Sequence, residues 1–320
     1  MTCKYRTIYA VCAKYVKTGG TEVVHQLVWW LNQLGANARI AYFNKGGMES
    51  YPMCHPEFLH YVDGVWVDIN EIEDAADIAI VVPESCPEFL AVYEKASLYL
   101  WWLSVDFFPR DYYSPAEVSE MFEFMRLRGV RHLVQSAYAE HYILEMGIDE
   151  GDIRHLADYI NQSFLDEKED NGDVREDIIL YNPMKGKEYV ETLIKAAPDL
   201  CFVPIMRMTT EQVAERMRHA KLYIDFGNHP GKDRIPREAA MCGCCVITGR
   251  RGSAAFSEDV SIPEKYRIEE NETGIPEVLS VIRNCLENYE TEKTLFQDYR
   301  EKIRSEKEEF KQDIKEAFFN

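Results

Sequence analysis

The chain has no long apolar run. None of its segments approaches the ~18 residues that a helix needs to cross a bilayer. Its opening stretch, MTCKYRTIYAVCAKY, has no small-residue cleavage pattern, so its apolar residues read as a first strand rather than a secretion signal. Basic residues are also short: 36 Lys and Arg stand against 55 Asp and Glu, a formal net charge of −19. A nucleic-acid partner, which needs Lys and Arg in excess, is not expected, nor is adsorption to an anionic membrane. The nine cysteines are odd in number. Without a secretion signal they are expected to be reduced thiols of a cytoplasmic protein rather than a disulfide framework. Cys242-Gly243-Cys244-Cys245 has no second Cys or Cys/His pair at ligand spacing, so zinc is not expected and the segment reads as the entry to a buried strand. The G-x-G-x-x-G fingerprint is missing, which leaves NAD without support, and so is a clear Asp-x-Asp metal motif. Solenoid repeats and low-complexity tracts are missing too.

What is present is ordinary globular composition, 46% hydrophobic and 28% charged, in 320 residues, enough for two domains. Apolar strands at residues 6–13, ARIAYF, DIAIVVPES, LYLWWLSVDFF and VRHLV alternate with helical patterns in the first half. TEVVHQLVWWLNQL places Val23, Val24, Leu27, Trp30, Leu31 and Leu34 at helical period, with Gly35 as the stop. Residues 165–177, LDEKEDNGDVRED, are polar and charged and read as a linker. The rhythm then restarts with DIILY, CFVPI, KLYIDF and CCVIT. Strands alternating with helices in both halves predict parallel sheets with crossover helices. The expected domains are 1–168 and 174–304. Residues 305–320 form a final helix, possible packing for the first domain.

Three segments carry candidate chemistry. Gly19 and Gly20, in Thr-Gly-Gly-Thr-Glu, lie between the first strand and a helix N-terminus, whose amides suit an anion. Asn182-Pro183-Met184-Lys185-Gly186-Lys187 follows DIILY, and Lys185 can reach a phosphate as a flexible point charge. KLYIDFGNHPGKDRIPREAAMCGCCVITG contains a Gly- and Pro-bearing loop, with Pro236 in an expected first helical turn, Asp233 placed to cap it and Glu238 in that same turn. Residues 232–251 hold five cations against two carboxylates, a basic spot in an acidic chain that suits a small anionic ligand. Gly227-x-x-x-Gly231-Lys232-Asp233 is not a Walker loop, having the wrong spacing and no Ser or Thr.

Together these segments resemble the donor-binding parts of retaining glycosyltransferases of family 4, which have the GT-B fold. The matching stretches are Gly19-Gly20-Thr21-Glu22, Lys185-Gly186, PGKDRIPREAAMCGC and, at the end of the first domain, HLADYIN. The resemblance implies two Rossmann-like α/β domains with parallel sheets facing a cleft. It implies transfer of a hexose from a UDP- or GDP-sugar to a carbohydrate or glycolipid hydroxyl, without metal or other cofactor, in polysaccharide or glycoconjugate synthesis. By resemblance Glu238 holds the donor ribose, and Gly19, Gly20, Asn182, Gly231 and Lys232 line the donor. Lys185 and Arg234 stabilise the leaving diphosphate. Asp106, after WWLSV, is the candidate that faces the acceptor, with His25 as the alternative, although His25 on a helix with Trp29 reads first as packing. The sequence departs from the family in two places: the first Glu of the paired-Glu motif falls on Pro230, and the family's Arg before Lys-Gly is missing, with Asn182 nearby and Arg234 as its candidate replacement. A GT-B sugar-nucleotide epimerase and a nucleotide-binding protein that has lost transfer are the competing readings.

Overall fold

The structure, a computed structural model, describes residues 2–62, 64–108, 113–166 and 175–320. The chain's contacts divide it into two compact units, Met1–Asp158 with Lys307–Asn320, and Tyr159–Glu306.

The first unit runs β1 (Thr7–Ala13), α1 (Gly19–Gln33), β2 (Ala38–Phe43), α2 (Leu59–Val62), β3 (Trp66–Asp68), β4 (Ile78–Pro83), β5 (Ser97–Trp102), α3 (Pro115–Leu127), β6 (Arg131–Val134), α4 (Ala137–Glu145) and β7 (Ile153–His155). Its seven strands lie in the order β3-β2-β1-β4-β5-β6-β7, and every pairing is parallel. β1, β4 and β5 are nearly continuous apolar runs because crossover elements cover both faces of a parallel sheet. Thr18 caps α1 by accepting from the Thr21 amide, and Thr21 returns the bond to the Thr18 amide.

The second unit runs α5 (Gln162–Leu165), β8 (Glu176–Tyr181), α6 (Lys187–Ala196), β9 (Cys201–Pro204), α7 (Thr210–His219), β10 (Ala220–Asp225), α8 (Arg234–Met241), β11 (Cys245–Thr248), α9 (Ile275–Glu287) and α10 (Tyr289–Glu292). The order β11-β10-β8-β9 is again fully parallel. The middle of the expected linker, residues 167–174, lies outside the described residues. The chain ends in α11 (Gln297–Phe318), which begins in the second unit and finishes in the first. Its apolar positions Tyr299, Ile303, Phe310, Ile314 and Phe318 are buried at helical spacing, while Glu301, Glu308, Glu309 and Glu316 face outward and its lysines are half-buried.

Cys242, Cys244 and Cys245 are buried at the entry to β11, as their setting suggested, and none of the nine cysteines is in a disulfide. Among the described residues no helix is long and apolar enough to cross a membrane.

Candidate functional site

In the second sheet the chain steps from β8 outward to β9 and then returns to β10 on the other side of β8. The connections after β8 and β10 therefore diverge, and the carboxyl ends of these two strands form a topological switch point, the usual ligand position in such sheets. Two glycines bring the loops together. Gly186 has φ +53° and Gly227 φ +98°, and they meet back to back: a Cβ on Gly186 would lie 2.5 Å from the Phe226 carbonyl, and one on Gly227 2.4 Å from the Gly186 nitrogen. The contact sets Lys185 beside the end of β10. Asn182 shapes the same turn by accepting from the Met184 amide at 3.0 Å.

Lys185 Nζ lies 3.1 Å from Asp225 Oδ1, 2.5 Å from Asp233 Oδ2 and 3.2 Å from His229 Nδ1. His229, fully buried, places Nδ1 2.7 Å from Asp233 Oδ2 and Nε2 3.2 Å from the Asp225 carbonyl. Asp225 is 2% exposed, and the ammonium approaches it off the hydrogen-bond direction, so neither carboxylate oxygen has a hydrogen-bond donor. Burial alone would push the Lys185 ammonium down, but Asp225 and Asp233 outweigh it and hold it above the ordinary lysine value, hence charged. Burial raises the Asp233 carboxyl, yet the His229 hydrogen bond and the Lys185 charge leave it below the usual carboxylate range. The loop carrying these groups is anchored from the other side: Ser253 donates its amide to the His229 carbonyl at 2.9 Å and its hydroxyl to the Gly231 carbonyl at 2.5 Å.

Several expectations need correction. Asp233 occupies the N-cap position of α8, but its side chain makes no capping bond; it is drawn instead to Lys185 and His229, which offer full charge where the helix amides offer partial charge. Glu238 is the fifth residue of α8 and so sits in its second turn, not its first. The basic spot is largely neutralised. Lys232 pairs with Glu306 at 3.0 Å, buried Arg237 holds the same carboxylate at 2.7 Å and the Lys232 carbonyl at 2.9 Å, and Arg250 pairs with Glu264. Lys232 is thus held in an ion pair with Glu306. Arg234 opens α8 and is partly exposed.

In the first unit Gly19 and Gly20 form the first turn of α1, beyond the end of β1 at that sheet's own switch point. Asp106 follows β5 in a short turn and accepts from the Tyr138 hydroxyl at 3.1 Å. His25 is a packing residue: its ring nitrogens lie 2.6 Å from the Thr21 carbonyl and 2.6 Å from the Tyr42 hydroxyl, and burial pushes it down to about 4, so it is neutral. Sequence reasoning overlooked Asp225, His229 and Glu270, whose carboxylate accepts from the Gly227 amide at 2.8 Å. The available signal was His229-x-x-x-Asp233 in a loop directly after a strand-terminal Asp.

No family model matches the chain, and no curated protein does. Solved structures do. HepE from Anabaena in complex with UDP-glucose is 12% identical, with 97% of this chain and 98% of that one covered and a TM-score of 0.68. Sucrose-phosphate synthase from Thermosynechococcus elongatus is 13% identical over 98% of both chains, with a TM-score of 0.67. A putative UDP-N-acetylglucosamine 2-epimerase from Listeria monocytogenes is 13% identical, with 92% and 91% covered and a TM-score of 0.52. At these identities the likeness shows the fold: α/β with parallel sheets, of the GT-B kind found in glycosyltransferases.

Proposed function

We propose that the protein is a glycosyltransferase that moves a hexose from a UDP- or GDP-sugar to a carbohydrate or glycolipid hydroxyl, with retention, in glycoconjugate or polysaccharide synthesis. HepE, which matches this chain over nearly its whole length and was solved in complex with UDP-glucose, supports a nucleotide-sugar donor. The observation that carries the reading is the switch point of the second unit. A charged Lys185 stands there beside an α8 N-terminus that its N-cap residue does not cap, with Arg234 in the first turn. Helix amides beside a charged lysine, with a second cation in the same helical turn, suit a diphosphate. Glu238, one turn further, accepts the ribose hydroxyls in this reading, and Gly231 and Asn182 border the donor. Gly19 and Gly20 also line the donor in this reading, and Asp106 belongs to the acceptor side.

Lys185 is already paired with two carboxylates before donor arrives, so it adds little to ground-state binding. As the bond to the sugar breaks, charge grows on the diphosphate and draws the ammonium across. An interaction that strengthens only then raises rate rather than affinity. No metal is needed for that step.

The test is a panel of nucleotide sugars, with and without simple sugar acceptors. Release of free UDP or GDP from one donor, accelerated by an acceptor, is the expected result. Isomerised sugar still attached to its nucleotide would assign an epimerase. Tight binding with neither product would assign a protein that has lost transfer, the reading to which Pro230 and the engaged Lys185 point.

A further inference from the structure

We infer that Asp225, His229 and Asp233 form a binding site for a first-row divalent cation, for which the Lys185 ammonium is the resident competitor. One donor atom from each of the three lies within 4.8 Å of the others. The site shares Lys185 with the transfer reading above, but metal binding is read without any donor and so is tested separately from it.

The first support is the histidine. A carbonyl only accepts, so the contact of His229 Nε2 with the Asp225 carbonyl at 3.2 Å places a proton on Nε2. This is how ligating histidines are commonly held, with the second ring nitrogen turned to the metal. Here that nitrogen, Nδ1, sits 2.7 Å from Asp233 Oδ2. Nδ1 this close to a carboxylate shares a proton with it, the hydrogen bond described above, and that proton is what a divalent ion displaces. Two ligands of one ion, each about 2.1 Å away and at right angles, stand about 3 Å apart. The spacing is that of neighbouring corners of a coordination polyhedron.

The second support is Asp225. Its carboxylate is 2% exposed, and both oxygens lack a hydrogen bond. The hydroxyl of Thr248, the residue paired with Asp225 in the sheet register, is also buried without a partner. Buried polar atoms left this way mark a place for an ion or its bound water. Lys185 covers part of the charge, but one ammonium faces two carboxylates, and a divalent ion balances both. An imidazole with two carboxylates suits Mn²⁺, Fe²⁺ or Zn²⁺ more than Ca²⁺, which prefers six or more oxygens.

The experiment titrates the full chain with MnCl₂ and ZnCl₂, without nucleotide, by calorimetry, and examines the Mn²⁺ complex by electron spin-echo spectroscopy for coupling to an imidazole nitrogen. The wild type is expected to bind one ion with that nitrogen signature. Lys185→Met should bind at least about tenfold more tightly, because a competing charge within 4 Å is gone. Its melting temperature should rise on adding Mn²⁺. Asp233→Asn should lose the binding. No ion bound by either the wild type or Lys185→Met would overturn the inference. So would binding that lacks nitrogen coupling and survives Asp233→Asn. Since no donor is present, a negative result here leaves the transfer reading to be decided by its own assay.

Discussion

Lys185 and Asp233 show how one contact assigns several roles. Had Asp233 capped α8, its removal would cost about 1 kcal/mol and little else. Tied to Lys185 and His229, it acts by charge. Its carboxyl titrates lower in the folded protein than in the unfolded chain. The stability it contributes is therefore complete above the unfolded value of about 3.9 and is lost as pH falls through the lower folded value. Thermal melts of wild type and Asp233→Asn should differ by a constant amount from about pH 5 to 7 and converge below about pH 4. A difference that is unchanged down to pH 2.5 would return Asp233 to an uncharged role. For Lys185→Ala and Arg234→Ala, steady-state kinetics with the cognate donor should show kcat lower by on the order of 100-fold, with donor KM changing less. Normal kcat in both folded variants would move the diphosphate elsewhere.

At the scale of elements, much was legible in advance. β1, β2, β4, β5, β8 and β10 are apolar runs bounded by turn residues, and such runs announce themselves locally. β3 and β7 were not seen, because three-residue strands at the sheet edges have too little pattern to show a period. The site was legible only in outline. Lys185, Arg234 and Glu238 sit on recognisable motifs, but the carboxylate that neutralises Lys232 is Glu306, far along the chain, and no local spacing encodes that pairing. The glycine contact is likewise a product of two loops. Gly186→Ala should cost at least about 2 kcal/mol, from positive φ and from a Cβ pressed against backbone that cannot yield, read as a lower midpoint in urea. Glu84, directly after β4, offers a second test. Burial pushes its carboxyl up to about 8, although it accepts the Leu103 amide at 2.9 Å. A folded value above the unfolded one means stability falls as pH rises from about 4.5 to 8. Glu84→Gln keeps an acceptor oxygen and removes the proton, so its melting temperature should gain on wild type across that window, by about 1 kcal/mol equivalent or more at pH 8. Parallel pH profiles would show that Glu84 is charged in the fold.

At the scale of the molecule, each unit has its own sheet and core, and α11 serves both. Its last residues complete the first unit: the Lys4 amide donates to the Phe318 carbonyl at 2.9 Å, Phe319 bridges to Cys3, Phe318 packs on Tyr99, and Asp313 meets the Ala157 amide. Ending the chain at Glu306 strips buried Phe310, Ile314 and Phe318 from that core. Each large side chain withheld costs about 1.5–3 kcal/mol, so the truncated first unit should melt well below the second, as two separate transitions in calorimetry. A single transition at the wild-type temperature would show that the segment is dispensable.

That closure also has a timetable. On the ribosome, residues 1–158 emerge before residues 159–306, yet the piece that finishes their unit, residues 307–320, is made only after all of them. At 5–20 residues per second, the first unit waits roughly 7–30 s with its seat for α11 uncovered. The second unit, whose residues form one unbroken stretch, can fold as soon as it clears the tunnel. The usual order of domain completion during synthesis is thus reversed. The unfinished seat, apolar and exposed for that interval, is where a nascent-chain chaperone would be expected to bind, and where an early stop codon would do harm out of proportion to the few residues it removes.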